Sequence, residues 1–354
     1  MSSRFARHEL IPGWSQDNIS GASAVVIGVG AVGNEVARLL AMAGISRMVL
    51  CDPDRVEETN LSRTPLFRVS DVGQYKVEAA ADALRDLAPG LVIEARAATL
   101  VRGLGLAELR DASIILSCLD TRSARLQLAA RCALLQVPVI DGGTHPWGGE
   151  VRPFLRPDGP CYSCTLSAAV RAEDDSPWSC MAPVLNAPRG AGAFTSAIVG
   201  GWMASIALRF LLGLSVPAGL LRIDVSEGTT TIVDMERKDD CLLHRRVGDV
   251  TRIGVGTAGT VDQLRAAVGA KGNALLWEPI QERVECPRCA FAEPRWGVPR
   301  AARCPNCDRL LRSRTTLDMQ SVPGKMTLRD LGIPPREILY VDAPGGEVWV
   351  EIDA

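Results

Sequence analysis

Residues 25–36 read VVIGVGAVGNEV: a run of apolar β-formers, glycines at 28, 30 and 33, then the opening of a helical pattern. No other stretch restricts the fold of this chain so much. A glycine-rich turn from a strand into a helix gathers unpaired backbone N–H groups and the positive end of the helix dipole at one point, where phosphate oxygens can be held. Such a turn serves a nicotinamide or flavin dinucleotide as well as ATP, and the glycines alone do not choose between them.

The sequence around that turn predicts its setting. From Ser23 to about Asp141, short apolar runs alternate with helical patterns. SAVVIG, RMVLCD, LVIEAR, SIILSC and VPVID read as fully buried parallel strands. Val32, Val36, Leu39, Leu40 and Ala43 recur at helical spacing, as do Val77, Ala80, Ala81, Leu84 and Leu87, and a further helix is expected around Ala124 to Leu135. This order predicts an α/β fold, a Rossmann-like and mostly parallel sheet with helices on both faces. Beyond it, GGEVRPFLRPDG and GLLRIDVSEGTTTIVDME read as antiparallel strands. A polar loop, 171–186, and an apolar helix near 194–212 lie between them. Gly200, Gly201 and Ser205 interrupt the apolar run and Arg209 follows it, so a buried helix is expected rather than a membrane span.

After His244 the chain turns polar and glycine-rich, RRVGDVTRIGVGTAGT, as linkers do. We therefore expect residues 1–246 to form one domain and 250–354 a small C-terminal α+β module. In the module, Thr260-x-x-Gln263 has the form of a capping box. MTLRDLGI followed by EILYVDAPGGEVWVEI reads as a helix and a hairpin turning at Gly345-Gly346.

The chain has eleven cysteines, and MSSRFARHEL at its start lacks the apolar core of a secretion signal. Reduced thiols or metal ligands in the cytoplasm are therefore expected rather than disulfides. Cys286-Pro-Arg-Cys289 and Cys304-Pro-Asn-Cys307 have the spacing of a zinc ribbon. Cys161-Tyr-Ser-Cys164 is a third such pair, and Cys241-Leu-Leu-His244 could complete its tetrahedron from far along the chain. Cys51, Cys118 and Cys132 sit in apolar runs and read as core residues. A net charge of −2 offers no broad basic field, so neither nucleic acid nor a membrane surface is an expected partner.

The residues after the second strand bear on the nucleotide. Asp52 stands where a dinucleotide enzyme would grip a ribose, which suits a dehydrogenase. Asn60, Arg63 and Lys76 follow closely. A nicotinamide slot is flat and mostly apolar and has no use for two extra cations. A site where a carboxylate anion approaches a triphosphate and pyrophosphate departs needs them. SIILSC then delivers Asp120 to the same edge of the sheet, where an acid beside phosphates suits Mg2+. Taken singly, Arg63 and Lys76 would be solvated surface charges, and Asp120 a helix N-cap before TRSAR.

Together, RFARHEL, GVGAVG, CDPDRVEETNLSR, VGQYKVE, SCLDTRSAR, CYSC and CLLH resemble, in order and separation, the ubiquitin-activating-enzyme-like adenylyltransferases of the ThiF, MoeB and HesA type. The resemblance covers about residues 4–246. It implies that Gly28, Gly30 and Gly33 lie beside ATP and that Asp52 binds its ribose hydroxyls. Asn60, Arg63 and Lys76 would position and neutralise the phosphates, and Asp120 would hold Mg2+. It also implies that Arg7 reaches the ATP of the partner subunit in a homodimer, and that Cys161, Cys164, Cys241 and His244 bind a structural Zn2+. His244 replaces the usual last cysteine, and Thr121 stands where asparagine is common.

The implied reaction is adenylation of the C-terminal carboxylate of a ubiquitin-like or sulfur-carrier protein ending in Gly-Gly. Cys180, in DDSPWSCMAPV, lies where some relatives carry a cysteine that takes the acyl group or sulfur, although Asp174 and Asp175 would raise its pKa. It could equally be a small residue at a loop–helix junction. The C-terminal module could be β-grasp-like and dock a conjugating enzyme or sulfur donor, or could be a packing extension that stabilises the dimer. Other readings are activation of a short peptide in natural-product biosynthesis, a non-catalytic scaffold subunit, or, most distantly, an NAD-dependent oxidoreductase.

Overall fold

The computed structural model describes residues 4–167, 169–170, 190, 192–269, 272–343 and 346–354. These form two compact units, Met1–Leu100 with Leu109–Arg246, and Val101–Glu108 with Val247–Ala354.

The first unit is built on an eight-stranded sheet in the order β3-β2-β1-β4-β5-β6-β7-β8. Strands β1 (Ser23–Ile27), β2 (Arg47–Cys51), β3 (Val92–Arg96), β4 (Ile114–Ser117) and β5 (Val139–His145) run parallel. Strands β6 (Gly148–Phe154), β7 (Leu220–Asp224) and β8 (Thr229–Val233) then add on antiparallel. Among the described residues, the helices of this unit are α1 (Gln16–Ser20), α2 (Ala31–Ala43), α3 (Lys76–Leu87), α6 (Arg122–Leu135) and α7 (Ala193–Leu211). Between α3 and α6 in the chain, α4 (Leu100–Gly103) and α5 (Leu106–Arg110) are single turns that lie mostly in the second unit. The α/β fold with a parallel-rich sheet is the one expected from the alternating pattern. Strand order reverses between β1 and β4, the switch point at whose carboxyl end such sheets bind ligands.

Alternation along the strands divides the two faces. Val26, Leu116 and Ile140 pack with Val36 and Leu40 of α2 and with Val199 and Met203 of α7 in one core, all fully buried. Helix α7 has a mean hydropathy of 1.4 and the length of a membrane span. It is a core helix, however: Gly200 lies so close to the Glu35 Cβ that a side chain there would come within 2.6 Å of it. One strand departs from expectation. LVIEAR was expected to be buried, yet Val92 is 59% exposed because β3 is the outermost strand and has a neighbour on one side only.

The second unit carries a sheet in the order β11-β10-β13-β14-β9, with β12 also paired to β10. Its strands are β9 (Val250–Arg252), β10 (Asn273–Glu285), β11 (Ala292–Gly297), β12 (Arg312–Asp318), β13 (Ile338–Ala343) and β14 (Gly346–Glu351). Helix α8 (Val261–Val268) opens with the expected capping box: Thr260 accepts the Gln263 N–H, and the Gln263 carboxamide accepts the Thr260 N–H. Val261 and Leu264 of α8 pack on Ile280, Leu339 and Val350. MTLRDLGI, expected as a helix, forms turns, because Thr327 and Asp330 satisfy each other's backbone and side chains locally. Ala343 pairs with Gly346, so Gly346 begins β14 rather than lying in the turn. Val101–Glu108 belongs to this unit: Arg102 pairs with Glu278 at 3.0 Å, and the buried Glu337 carboxylate accepts the Leu106 N–H.

Candidate functional site

Strands β1, β2 and β4 end side by side, with Ile27 in register with both Cys51 and Ser117. The loops that follow therefore share one edge, and these loops carry Gly28, Asp52 and Asp120. Gly28 adopts a φ of +86°, and a side chain there would meet the Cys118 carbonyl at 2.5 Å. A Cβ on Gly33 would collide with the Gly28 carbonyl oxygen. Gly30, the N-cap of α2, has nothing within 4 Å of where its Cβ would be. Two of the glycines thus permit close packing of backbone on backbone, and the third leaves open space at the helix N-terminus.

Asp52 is 6% exposed. Its carboxylate accepts the Val29 N–H at 2.6 Å and the Asp54 N–H at 2.9 Å, tying the end of β2 to the glycine loop. Burial raises its pKa, against the opposing pull of the Lys76 charge and the two N–H donors. Lys76, the first residue of α3, pairs with Asp54 at 2.8 Å, and its side chain is 13% exposed.

Asn60 ends a 3-10 turn, Glu58–Asn60, and Arg63 lies in the turn that follows it. Asn60 is buried, and its side-chain oxygen accepts the Glu57 N–H. The Arg63 guanidinium donates to the Thr59 carbonyl at 2.6 Å. Sequence reasoning passed over Asn34, which joins this turn region to the glycine loop. It is fully buried in α2, donates to the Val29 and Gly30 carbonyls, and accepts the Leu66 N–H. A polar residue on the face of a helix that begins inside a glycine loop was the available signal.

Asp120 is exposed just beyond β4. It is not the cap of the following helix. Thr121 is, accepting the Ala124 N–H, which leaves the Asp120 carboxylate for other partners. Behind it lies a second group that the sequence did not disclose. Arg125 donates to the Leu119 carbonyl at 2.5 Å, the Gly142 carbonyl at 3.0 Å and the Asp141 carboxylate at 2.6 Å. Asp141 is 2% exposed and also accepts from the Ser117 hydroxyl and Arg152. Burial works against the Arg125 charge, but Asp141 outweighs it and raises the arginine pKa. The ends of β4 and β5 are held together by this buried pair.

Arg7 is exposed in the N-terminal turns. Among the described residues it has no hydrogen bond or ion pair to the glycine loop, Asp52, Asn60, Arg63, Lys76 or Asp120. Cys180, with Asp174 and Asp175, lies outside the described residues.

Among the described residues, two groups of side chains could hold a metal ion, Cys161 with Cys164, Cys241 and His244, and Cys286 with Cys289, Cys304 and Cys307. A tetrahedral Zn2+ with sulfur at about 2.3 Å places its sulfurs roughly 3.8 Å apart. The Cys161 sulfur lies 3.8 Å from that of Cys164 and 3.7 Å from that of Cys241. In the second group Cys289 is 3.6 Å from Cys304 and 4.0 Å from Cys307. Both sets fit zinc. Burial opposes ionisation of Cys286, but the Arg288 and Cys289 N–H groups and neighbouring thiols overcome it and bring the thiol down to about 6.

The chain is similar to known proteins. A sulfur carrier protein adenylyltransferase of Thermus thermophilus is 31% identical over 233 residues, covering 64% of this chain and 83% of that protein. A molybdopterin-synthase adenylyltransferase of Escherichia coli is 30% identical over 219 residues, covering 61% and 84%. In fold, the chain resembles the crystal structure of E. coli MccB with ATP, at a TM-score of 0.58 and 21% identity, over 69% of this chain and 74% of that one. Residues 3–243, which include every loop of the edge built around Gly28, Asp52 and Asp120, match the ThiF family, and the chain belongs to that family.

Proposed function

We propose that this protein is an ATP-dependent adenylyltransferase that activates the C-terminal carboxylate of a ubiquitin-like or sulfur-carrier protein ending in Gly-Gly. The observation that carries this reading is the packing of Asp52 against the glycine loop with Lys76 beside it, at an edge that also receives Asp120. Relatives about 30% identical are adenylyltransferases of a sulfur carrier and of molybdopterin synthase. In this reading Asp52 takes the ribose hydroxyls, Asn60, Arg63 and Lys76 the phosphates, and Asp120 a Mg2+ shared with water.

The carrier carboxylate attacks the α-phosphorus of ATP. The bond from that phosphorus to the bridging oxygen breaks, pyrophosphate leaves with both electrons, and an acyl-adenylate remains. No general base is needed, because the attacking oxygen is already ionised. The protein's work is to position two anions against each other and to neutralise their charge.

Arg7 would act on the ATP of a partner subunit, which makes the active unit a homodimer. An exposed apolar stripe supports self-association: Phe194, Ile198 and Trp202 recur at helical spacing on α7, and Phe194 packs on Trp147 with ring centroids 5.4 Å apart. We assign residues 250–354 to recruitment of a conjugating enzyme or sulfur donor, and Cys180 to acceptance of the acyl group after adenylation. Thiolate metal sites of this kind suit a reducing cytoplasm.

The test is ATP–pyrophosphate exchange with small carrier proteins, each with and without its last glycine. Exchange that depends on the carrier and its terminal glycine supports the reading. Exchange only with a short free peptide would favour peptide activation, which the fold likeness to the microcin C7 biosynthetic enzyme MccB leaves as the second reading. Binding of NAD(H) in place of ATP would overturn both.

A further inference from the structure

Residues 282–314, in the second unit, carry eight arginines and four acids in a chain of net charge −2. Three of the acids are engaged within the segment. Glu285 pairs with Arg283 at 2.8 Å and with Arg314 at 2.7 Å, Asp308 pairs with Arg303 at 3.0 Å, and Glu293 pairs with Arg295. The fourth, Glu282, falls at a break in the β10 register. Arg288, Arg300, Arg309 and Arg312 are exposed and form no ion pair among the described residues. A zinc tetrathiolate, itself anionic, would offset only part of this excess.

Alternation along the strands gathers several of these groups on one face. Val284 and Leu311 turn into the ribbon core with Cys304. Their neighbours Arg283, Glu285, Leu310 and Arg312 therefore stand on the other side, and Arg314 follows two places on. Arg283 is in register with Arg314, and Glu285 with Arg312. The face thus sets three guanidinium groups against one carboxylate, with Leu310, 57% exposed, at its end. It also reaches an open edge, because among the described residues β12 pairs only with β10. Arg312–Asp318 contains no proline, so its backbone can continue the ladder outwards.

We propose that this edge and face bind an extended acidic segment of a partner protein, added as a further strand beside β12. Arg312 and Arg314 repeat about 7 Å apart along their strand, which is the repeat of carboxylates at alternate positions of an added strand. Guanidinium holds carboxylate in a fixed fork, and Leu310 offers an apolar contact beside it. Nucleic acid suits the surface less well. Single strands stack their bases on exposed rings, whereas the aromatic residues of this segment, Phe291 and Trp296, pack against the cores of the unit. The surface gives a chemistry to the recruitment assigned to residues 250–354, but it is tested by direct binding and does not rest on adenylation.

The experiment is fluorescence anisotropy of the full zinc-loaded chain with a short labelled peptide of alternating Glu and Thr. The peptide is expected to bind at one site per chain. Its counterpart with Lys for Glu, and single-stranded oligothymidylate, should bind more weakly. Arg312→Glu, at an exposed position, should weaken the peptide roughly tenfold, with thermal melting and zinc content to check the fold. Methylation of the peptide nitrogens along one edge removes ladder bonds and should weaken binding too. The proposal is overturned if the lysine peptide, the oligothymidylate or the methylated peptide binds as tightly, or if a natively folded Arg312→Glu keeps full affinity. A chain that supports pyrophosphate exchange yet ignores the peptide overturns this surface alone. One that takes the peptide yet supports no exchange overturns the adenylation reading alone.

Discussion

The Asp52 carboxylate lies 2.6 Å from the Val29 backbone nitrogen and accepts its N–H, so the residue expected to grip a ribose is also the one that fixes the glycine loop. Burial raises the Asp52 pKa above its ordinary 3.8, and the Lys76 charge lowers it. A raised pKa means that the folded chain binds this proton more tightly than the unfolded chain does. Its contribution to stability is present below 3.8 and lost as pH rises through the folded value. Ribose binding needs the ionised form, so ATP affinity should fall as pH drops through that same folded value. In Lys76→Met the fall should move to higher pH, because an opposing cation is gone. ATP titrations across pH, with the Asp52 carboxyl carbon followed by NMR, check this. An acid limb at the same pH in both proteins would contradict it.

Gly33 and Gly30 should respond differently to alanine. At Gly33 the new methyl meets the Gly28 carbonyl, and overpacking of this kind should lower the Tm by roughly 5 °C. At Gly30 the methyl meets nothing within 4 Å and the backbone is extended, so the Tm should stay within about 2 °C of wild type. ATP affinity should nevertheless fall in Gly30→Ala if phosphate occupies that space. Thermal melts with and without ATP separate the two effects.

Asn34→Ala strips partners from the Val29 carbonyl and the Leu66 N–H in a buried place. The expected loss is about 1–3 kcal/mol of stability. Because Asn34 acts through the loop and not on the reacting atoms, KM for ATP should rise more than kcat falls. An equal fall in kcat and kcat/KM would instead place it at the reaction itself.

The two metal sites should be separable by elemental analysis. Wild-type protein should carry one zinc in each group of four ligands. Cys304→Ser should lose the second-unit metal and keep the first. His244→Cys should keep both, since thiolate and imidazole both serve zinc, whereas His244→Ala should lose the first. Retention of full zinc by His244→Ala would remove His244 from the ligand set.

If Arg7 works on the neighbouring subunit, two inactive variants should rescue each other. Arg7→Ala and Asp120→Ala should each be inactive in carrier-dependent pyrophosphate exchange. Mixed one to one after subunit exchange, they should regain about a quarter of wild-type activity, one intact site in each mixed dimer. No recovery, with mixed dimers demonstrated, would place Arg7 outside the partner's site.

Much of this architecture was legible because apolar runs and glycine spacings are local signals. SAVVIG, RMVLCD and SIILSC became neighbouring strands, and the Cys-x-x-Cys pairs converged with their distant partners. What the sequence concealed depends on contacts between distant residues. An apolar run names a strand but not its rank in the sheet, which is why Val92 is at an exposed edge. Asp120 and Thr121 are both good caps, and only backbone geometry chose Thr121. Asn34 meets Leu66 and Arg125 meets Asp141 through the fold, not through any pattern along the chain. In MTLRDLGI, the bonds between Thr327 and Asp330 won over helical propensity.

The sulfurs of Cys161 and Cys241 stand 3.7 Å apart although 80 positions separate them. A metal bridging them closes a long ring in the chain, and in the unfolded state such a ring forfeits freedom worth on the order of 4 kcal/mol if it acts as a permanent cross-link. Helix α7 and strands β7 and β8 all lie inside that ring. Zinc starvation should therefore loosen the antiparallel half of the sheet and its long apolar helix first, while the five parallel strands, which precede the ring, keep their order.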